Sequence, residues 1–260
     1  MKIGTWNVNS VKVRAERLAA VLQRHAPDVL CLQELKCVDD AFPRDVVEAA
    51  GYEAAVHGQK TYNGVAILSR LPLSNVRIGM HDDVDDDQAR IIAATAGGVD
   101  VVCVYVPNGK RPDSDKYVYK RAWLRRLREY LSQHVDPTGD AVLCGDLNIA
   151  PDDLDVARPQ EWGDSVLCTP EIRADFQALL DWGLRDTFRM HHPIGGVYSW
   201  WDYRLLGFPK NNGLRIDHVL ATASLAPRCT ISEVDRDERK GKQPSDHAPV
   251  LSTFGPPADS

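Results

Sequence analysis

A short apolar strand that ends in polar residues constrains the fold of this chain more than any other stretch. The segment 140–148, Asp-Ala-Val-Leu-Cys-Gly-Asp-Leu-Asn, is apolar or small directly after its first residue, which is typical of a strand inside a core. Asp146 and Asn148 are two residues apart, so their side chains point to the same side of an extended backbone. Residues 2–9 repeat the pattern and also end in two polar side chains. We therefore expect two similar halves that bring these strand ends together.

The composition is that of an ordinary globular protein with a sizeable core. The chain has 260 residues, of which 43% are hydrophobic and 26% are charged. No apolar run reaches the length of a membrane span, and residues 1–6 lead into a strand rather than into a signal peptide. The cysteines form no C-x-x-C motif, and Cys31, Cys103 and Cys144 lie in apolar runs. We therefore expect reduced core cysteines in a cytoplasmic protein.

Strands and helices alternate along both halves of the sequence. The spacing of apolar residues predicts helices over residues 13–25, 115–134 and 171–182. Strands are predicted at residues 2–9, 28–36, 64–69, 88–95, 99–106, 140–148, 214–220 and 245–251. The polar connection 151–169 is expected to be a packed surface loop. We predict one α/β domain over residues 1–257, built as a four-layer α/β sandwich of two packed mixed β-sheets flanked by helices.

Charged segments leave room for a local contact with a polyanion. The formal net charge of −6 argues against general adhesion to nucleic acid, but it is compatible with a basic face beside an acidic site. The acidic run 82–87 is expected to be a solvated loop. Five of the basic residues in the helix 115–134 lie mostly away from its apolar stripe, either as a solvated surface or as a basic patch: Lys120, Arg121, Arg125, Arg126 and Arg128.

Eight polar residues lie at the ends of apolar strands, and together they are hard to explain as turns. They are Asn7, Glu34, Tyr105, Asp146, Asn148, Asp217, Asp246 and His247. Oxygen ligands with few usable nitrogens or sulfurs suit a hard cation such as Mg²⁺, and one histidine beside carboxylates suggests acid–base chemistry. Phosphodiester hydrolysis needs an activated water, neutralised phosphate charge and a stabilised leaving oxygen. These residue types can supply all three.

Five motifs in order along essentially the whole chain resemble the exonuclease III family of apurinic/apyrimidinic endonucleases, within the endonuclease/exonuclease/phosphatase superfamily. They are Trp6-Asn7-Val8-Asn9, Leu32-Gln33-Glu34, Gly145-Asp146-Leu147-Asn148, Gly213-Leu214-Arg215-Ile216-Asp217 and Ser245-Asp246-His247-Ala248-Pro249. Gly-Asp-x-Asn and Ser-Asp-His alone mark only the superfamily. The aromatic segment 198–204 and the Leu-Arg-Ile-Asp motif narrow the resemblance to DNA repair enzymes.

The resemblance implies a function. It implies Mg²⁺-dependent hydrolysis of the phosphodiester 5′ to abasic sites in double-stranded DNA, with 3′–5′ exonuclease activity and processing of blocked 3′ ends. Mn²⁺ could replace Mg²⁺, and the protein would act as a monomer. Asn108 stands where bacterial relatives can carry Gln, which predicts the same kind of DNA contact with a shorter reach and leaves the balance of the two activities open.

The resemblance also implies roles for individual residues. Glu34 would be the principal metal ligand with Asn7 near it, and the other candidate ligands would be Asp146, Asn148, Asp246 and His247. The catalytic set would be Tyr105, Asp146, Asn148, Asp217 and His247. Asp217 would orient His247, and either His247 or Asp146 would be the general base. The residues that would contact DNA are Lys60, Tyr62, Asn63, Arg90, Asn108, Trp200, Trp201, Lys210 and Leu214, with Trp200, Trp201 and Leu214 lining a pocket for the baseless sugar.

Two other functions are weighed against this one. A phosphatase or phosphodiesterase acting on a small phosphoester or a lipid headgroup would use the same superfamily motifs, but a lipid enzyme would be expected to expose an apolar attachment segment, and none is visible. A non-enzymatic DNA-binding protein would not need several carboxylates near a polyanion, because each repels phosphate unless a metal or a proton offsets it.

Overall fold

Twelve strands and six α-helices make up the regular structure of the computed structural model, which describes residues 1–256. The strands are β1 (Lys2–Asn7), β2 (Val29–Gln33), β3 (Glu53–His57), β4 (Val65–Ser69), β5 (Leu73–Ile78), β6 (Ile91–Ala96), β7 (Val99–Tyr105), β8 (Ala141–Asp146), β9 (Leu184–Asp186), β10 (Asp217–Thr222), β11 (Cys229–Val234) and β12 (Val250–Phe254). The helices are α1 (Ala15–His25), α2 (Arg44–Ala49), α3 (Asp115–His134), α4 (Pro159–Trp162), α5 (Pro170–Asp181) and α6 (Thr187–His191).

The strands form two six-stranded mixed sheets with the same internal arrangement. The first has the order β11-β12-β1-β2-β4-β3, and the second has the order β5-β6-β7-β8-β10-β9. Each sheet has one parallel pair at its centre, β1 with β2 and β7 with β8, and every other neighbour is antiparallel. In each sheet, the carboxyl ends of the two central strands therefore lie side by side at the same edge.

The four predicted layers are confirmed. Apolar residues of both sheets meet in one buried cluster, in which Cys31 of the first sheet and Cys103 and Cys144 of the second are free thiols. Helix α1 covers the outer face of the first sheet, and helices α3 and α5 cover the outer face of the second. That the chain is a single domain stays a prediction, and its predicted boundary at residue 257 lies outside the described residues.

The predicted helix boundaries are close to those observed, but the last two predicted strands begin later than expected: β10 begins at Asp217 rather than at residue 214, and β12 begins at Val250 rather than at residue 245. Helix α3 spans the predicted residues, whereas α1 begins at Ala15 rather than at residue 13. Helix α5 begins one residue early because Thr169 caps it, accepting a hydrogen bond from the backbone N–H of Ile172, and Pro170 occupies its first turn. The connection 151–169 contains the short helix α4 rather than only loop. No helix in residues 1–256 is both long and apolar enough to cross a membrane.

The basic face of α3 differs from both interpretations of the sequence. Lys120 is fully buried, although the pattern placed it off the apolar stripe. Arg126 forms ion pairs with Asp82 (2.6 Å) and Asp86 (2.7 Å), so these two carboxylates of the acidic run hold a helix rather than standing free in solvent. Arg121 is likewise paired with Asp175 of α5, at 2.6 Å. Much of the expected basic patch is therefore neutralised within the fold.

Candidate active site

Side chains at the ends of the four central strands converge at one edge of the sandwich. Asn7 ends β1, Glu34 follows β2, Tyr105 ends β7 and Asp146 ends β8. The amide nitrogen of Asn7 donates to Glu34 Oε1 (2.8 Å) and to Asp146 Oδ2 (2.9 Å). Asn7 thus connects the two sheets directly at this edge, and the convergence expected from the sequence is observed.

Local backbone geometry turns these side chains toward one another. Glu34 and Asn148 have φ angles of 53° and 52°, in the left-handed region that non-glycine residues rarely enter. Asn148 tolerates this conformation well, because its backbone N–H donates to Asp146 Oδ1 (2.9 Å) in an Asx-type turn. The strand therefore ends abruptly after Asp146, and the chain turns back over the site.

His247 and Asp217 form a buried pair. The ring Nδ1 of His247 lies 2.9 Å from Asp217 Oδ2, which also accepts a 2.6 Å hydrogen bond from Ser199 Oγ. This pairing leaves Nε2 directed at Asp146 Oδ2, 3.7 Å away. Burial lowers the pKa of His247, but the charges of Asp217 and Asp146 outweigh it and raise this pKa to about 10. The ring is therefore an imidazolium at neutral pH when no metal is bound.

Asp146 is the most perturbed carboxyl group of the cluster. It is almost completely buried, and burial raises its pKa to about 7. The negative charges of Asp217 and Glu34 act in the same direction, whereas His247 and the hydrogen bond from Asn7 oppose the change. A carboxyl group with a pKa near neutrality can both accept and return a proton during a reaction.

Three side chains offer a set of metal-ligating atoms. Ligand atoms of Glu34, Asp146 and His247 all lie within 4.8 Å of one another. Two carboxylates and one imidazole, with Glu34 partly open to solvent, fit a hard divalent cation that keeps several waters. The Glu34 carboxylate is also paired with Lys36 Nζ at 2.9 Å, which fixes its orientation.

Asp246 lies beside this set but is not part of it. One carboxylate oxygen accepts from Trp200 Nε1 (3.0 Å), and the other accepts from Asn9 Nδ2 (2.8 Å). Burial raises the pKa of Asp246, but the His247 charge and these two hydrogen bonds outweigh it and hold the pKa below its ordinary value. In this arrangement Asp246 orients Trp200, and its predicted contact with a metal stays a prediction.

Tyr105 and Asn148 complete the predicted catalytic group. Burial and the charges of Glu34 and Asp146 raise the pKa of Tyr105 well above its ordinary value, so its hydroxyl keeps its proton and can donate. The Asn148 side chain donates to the carbonyl of Val106 (3.0 Å) and accepts from Asn108 Nδ2 (3.0 Å).

A cavity of about 380 Å³ opens above these residues. Glu34, Asp146, Asn148 and His247 are among its polar lining, and its apolar wall is formed by Trp162, Val166, Leu167, Trp200 and Ile216. The rings of Trp162 and Trp200 meet edge to face, with centroids 5.7 Å apart. The sequence analysis missed Trp162, Val166 and Leu167, because the connection that carries them has no periodic pattern.

Two of the predicted pocket residues do not line this cavity. Trp201 and Leu214 are fully buried, and Trp201 packs instead against Tyr198, Phe208 and Ala248. The expectation that they form the sugar pocket is therefore corrected, since Trp200 alone of the three faces the cavity. Their contact with DNA stays a prediction.

A second, larger cavity of about 710 Å³ adjoins the first and shares Tyr105, Asn108 and Lys110 with it. It gathers four of the predicted DNA contacts, which are Tyr62, Asn63, Arg90 and Asn108. Lys110 and Lys116 also line it and were not singled out from the sequence. Lys60 and Lys210 are exposed but are not part of either cavity lining.

Comparison with known proteins agrees with this geometry. The model of the Endonuclease/Exonuclease/phosphatase family matches residues 4–247. Exodeoxyribonuclease III of Haemophilus influenzae is 38% identical over 98% of this chain and 100% of its own length. An AP endonuclease structure from Archaeoglobus fulgidus (38% identical, TM-score 0.94) and a 3′–5′ exonuclease structure from Neisseria meningitidis (44%, TM-score 0.95) each align with 98% of this chain and 99% of their own. The chain therefore belongs to the endonuclease/exonuclease/phosphatase family, in the exodeoxyribonuclease III group of AP endonucleases.

Proposed function

We propose that this protein is a Mg²⁺-dependent DNA repair nuclease that hydrolyses the phosphodiester 5′ to an abasic site and also removes nucleotides or blocking groups from 3′ ends. One observation carries the proposal: the cluster of Glu34, Asp146 and His247 lies in the lining of a cavity that also has an aromatic wall. The cluster suits phosphate chemistry, and the wall suits a nucleotide. The names of the AP endonuclease and the 3′–5′ exonuclease among the similar structures support both activities.

Each residue of the cluster has a proposed task. Glu34 would be the principal ligand of the Mg²⁺, with Asn7 near it, and the metal would supply a Lewis acid that neutralises phosphate charge. His247, kept as an imidazolium by Asp217, would donate to a phosphate oxygen and stabilise the charge that develops there. Tyr105 would donate its hydroxyl proton to another phosphate oxygen.

We propose Asp146 rather than His247 as the general base. A base must be unprotonated before the reaction, and the pKa of Asp146 (about 7) leaves a substantial unprotonated fraction at neutral pH. The pKa of His247, about 10, leaves little neutral imidazole under the same conditions. Asn148 would orient the attacking water through its side-chain amide.

Selection for abasic sites would come from the aromatic wall. Trp162 and Trp200 narrow the cavity, and an extruded sugar without a base could enter it at less cost than a complete nucleotide, because no base has to be unstacked. The adjoining cavity with Tyr62, Arg90 and Asn108 would hold the flanking backbone. We further propose that Mn²⁺ can replace Mg²⁺ and that the protein acts as a cytoplasmic monomer.

A gel assay tests this function. Two end-labelled duplexes of about 20–30 base pairs, which is roughly two to three helical turns, would be incubated with the protein in Mg²⁺ or in EDTA. One duplex carries a single abasic analogue and the other is intact. We expect one Mg²⁺-dependent cut at the 5′ side of the abasic position and slower shortening of 3′ ends.

Other outcomes would redirect the assignment. A ladder on the intact duplex without the single cut would make the protein chiefly a 3′–5′ exonuclease. No cleavage of either duplex, together with release of phosphate from small phosphoesters, would contradict the proposal and favour the small-phosphoester alternative.

A further inference from the structure

A buried lysine lies behind the wall of the candidate active site and has no part in the proposed chemistry. Lys120 of α3 is fully shielded from solvent, and its Nζ donates hydrogen bonds to three backbone carbonyls. The acceptors are the carbonyls of Asn108 (3.2 Å), Asn148 (2.7 Å) and Val166 (2.8 Å). Lysine is rarely buried without such partners, because its removal from water is costly.

The three carbonyls belong to three separate segments that line the cavity. Asn108 follows β7, Asn148 follows β8, and Val166 lies in the connection between α4 and α5. These wall segments (107–109, 147–149 and 165–167) are far apart in sequence, and the Nζ of Lys120 contacts all three. The loop at Gly109 also packs closely on the lysine stem, since a Cβ added there would lie 3.1 Å from Lys120 Cδ.

The same contacts bear on two side chains that line the cavity, those of Asn108 and Asn148. Asn108 Nδ2 donates a hydrogen bond to Asn148 Oδ1 (3.0 Å). This bond fixes the orientation of one side-chain amide relative to the other, and it can form only while the two backbones keep their present distance. Lys120 holds this distance, because its Nζ donates to the main-chain carbonyls of both residues. The Val166 carbonyl connects the apolar wall to the same point.

We propose that Lys120 is a positioning residue that holds the three wall segments in register, so that its loss lowers the rate of the chemical step. The proposal rests on the nuclease function above for the roles of Asn108 and Asn148. The ammonium group has three N–H donors, which match the three carbonyls, one from each wall segment.

The test compares Lys120→Met with Tyr117→Phe. Methionine keeps the length of the side chain but cannot donate. Tyr117 lies on the same helix, and its hydroxyl shares a buried hydrogen bond with Thr169, close to the third wall segment. Phenylalanine removes only this bond and keeps the ring that packs beside Gly109, so the replacement is a matched structural control. We expect turnover of Lys120→Met to fall on the order of 100-fold, as small displacements in an active site can cause. KM and DNA affinity should change about threefold or less, since most binding contacts lie elsewhere.

A double-mutant cycle adds a readout that a merely structural role would not move. If Lys120 acts by positioning Asn148, then Lys120→Met should cost much less in an Asn148→Ala background than in the wild type. Additive losses in the cycle, or a Tyr117→Phe variant as slow as Lys120→Met, would overturn the proposal. If Lys120→Met does not fold, Lys120→Gln takes its place: its amide keeps only two N–H donors for the three carbonyls, so turnover should fall less than 100-fold but more than in Tyr117→Phe.

Hydrogen exchange of the backbone amides tests the positioning role of Lys120 independently of the proposed nuclease activity. Amides of the three wall segments should exchange faster in Lys120→Met than in Tyr117→Phe, whether or not the wild type cuts DNA. Unchanged exchange in all three segments would contradict the positioning role. Faster exchange in a protein that cleaves neither duplex would support Lys120 and reject the nuclease assignment.

Discussion

At the scale of single residues, Asn7 shows how the site depends on both sheets, since one amide group contacts Glu34 of the first and Asp146 of the second. Replacing Glu34 or Asp146 therefore also removes a hydrogen bond from Asn7 and can alter the position of the other carboxylate. We expect Glu34→Ala to keep its fold and to need a higher Mg²⁺ concentration for half-maximal activity. A titration with Mg²⁺ measures this change. An unchanged metal requirement would remove Glu34 from the metal site.

Asp146 and His247 should be more sensitive. We expect Asp146→Asn and His247→Asn each to lower turnover by roughly 10²–10⁴-fold, the range for a lost acid–base group. Thermal unfolding should show that both variants remain folded. Asp175→Asn, which breaks an ion pair between α3 and α5, is the control and should retain its rate. Near-wild-type rates for the two site variants would refute the mechanism.

The protonation of His247 can be measured directly. Its pKa is raised to about 10, so the ring of the metal-free protein should still be charged at pH 8, well above the ordinary value of about 6.5. The ¹⁵N chemical shifts of the imidazole ring report this state. In Asp217→Asn the main supporting charge is gone, and the neutral form should appear at a lower pH. A neutral ring at pH 8 in the wild type would contradict the assignment of Asp146 as the base.

At the scale of elements, the end of β8 depends on a glycine. A Cβ added at Gly145 would lie 1.9 Å from the carbonyl oxygen of Val104 on the neighbouring parallel strand. Gly145→Ala must therefore push β7 and β8 apart, and we expect it to lower the free energy of unfolding by about 3 kcal/mol or more. Gly139, in the turn before the same strand, has its nearest neighbour at 3.5 Å, so Gly139→Ala is the matched control. Equal unfolding midpoints in urea for the two variants would show that the strands can separate without loss.

Helix α1 is attached to the segment that follows β11 through Asp235, a carboxylate whose pKa is lowered. Burial raises the pKa of Asp235, but hydrogen bonds from His25 and Arg24 outweigh it and lower this pKa to about 2. Since the unfolded value is about 3.9, the stabilisation is complete above about pH 5 and is lost as the pH falls toward 2. The difference in unfolding midpoint between wild type and Asp235→Asn should therefore shrink between pH 5 and pH 3. Asp237→Asn, whose partner Lys240 is exposed, should show a small difference at every pH.

Features that follow from a regular pattern of apolar residues could be predicted from the sequence, whereas features that depend on packing between distant segments could not. The strands and their polar ends were found because alternation and apolar runs are local signals, and Glu34, Asp146 and His247 meet as expected. Lys120, Trp162 and Trp201 were misjudged or missed for a different reason. Their burial depends on which distant segments pack against them, and neither the position of a residue on a helix face nor a pair of neighbouring aromatic residues predicts that packing.

At the scale of the whole molecule, an acidic protein must bind DNA through a local basic surface. Lys110 and Lys116 line the larger cavity, whereas Arg128 lies three turns further along α3. We expect the double variant Lys110→Glu and Lys116→Glu to weaken DNA binding on the order of tenfold or more, and to reduce the dependence of binding on salt by about one counterion per contact. Fluorescence anisotropy in EDTA at several salt concentrations measures both. The double variant Arg125→Glu and Arg128→Glu, at two exposed positions of α3, changes the net charge by the same amount, and equal losses for it would show that the effect is only one of net charge.

Strand β12 has a consequence for when the protein can act during its own synthesis. This last strand lies between β11 and β1, and Trp6 Nε1 donates to the carbonyl of His247 (3.2 Å), so the two ends of the polypeptide meet beside the site. A nascent chain that has released its first 240 residues has β1, Asn7 and the neighbouring strand β2, but it has neither His247 nor β12, which pairs with the other edge of β1. Pairing between such distant segments is slow compared with local structure. The site therefore cannot be complete until residues 245–254, which supply His247 and strand β12, have been made and have joined β1.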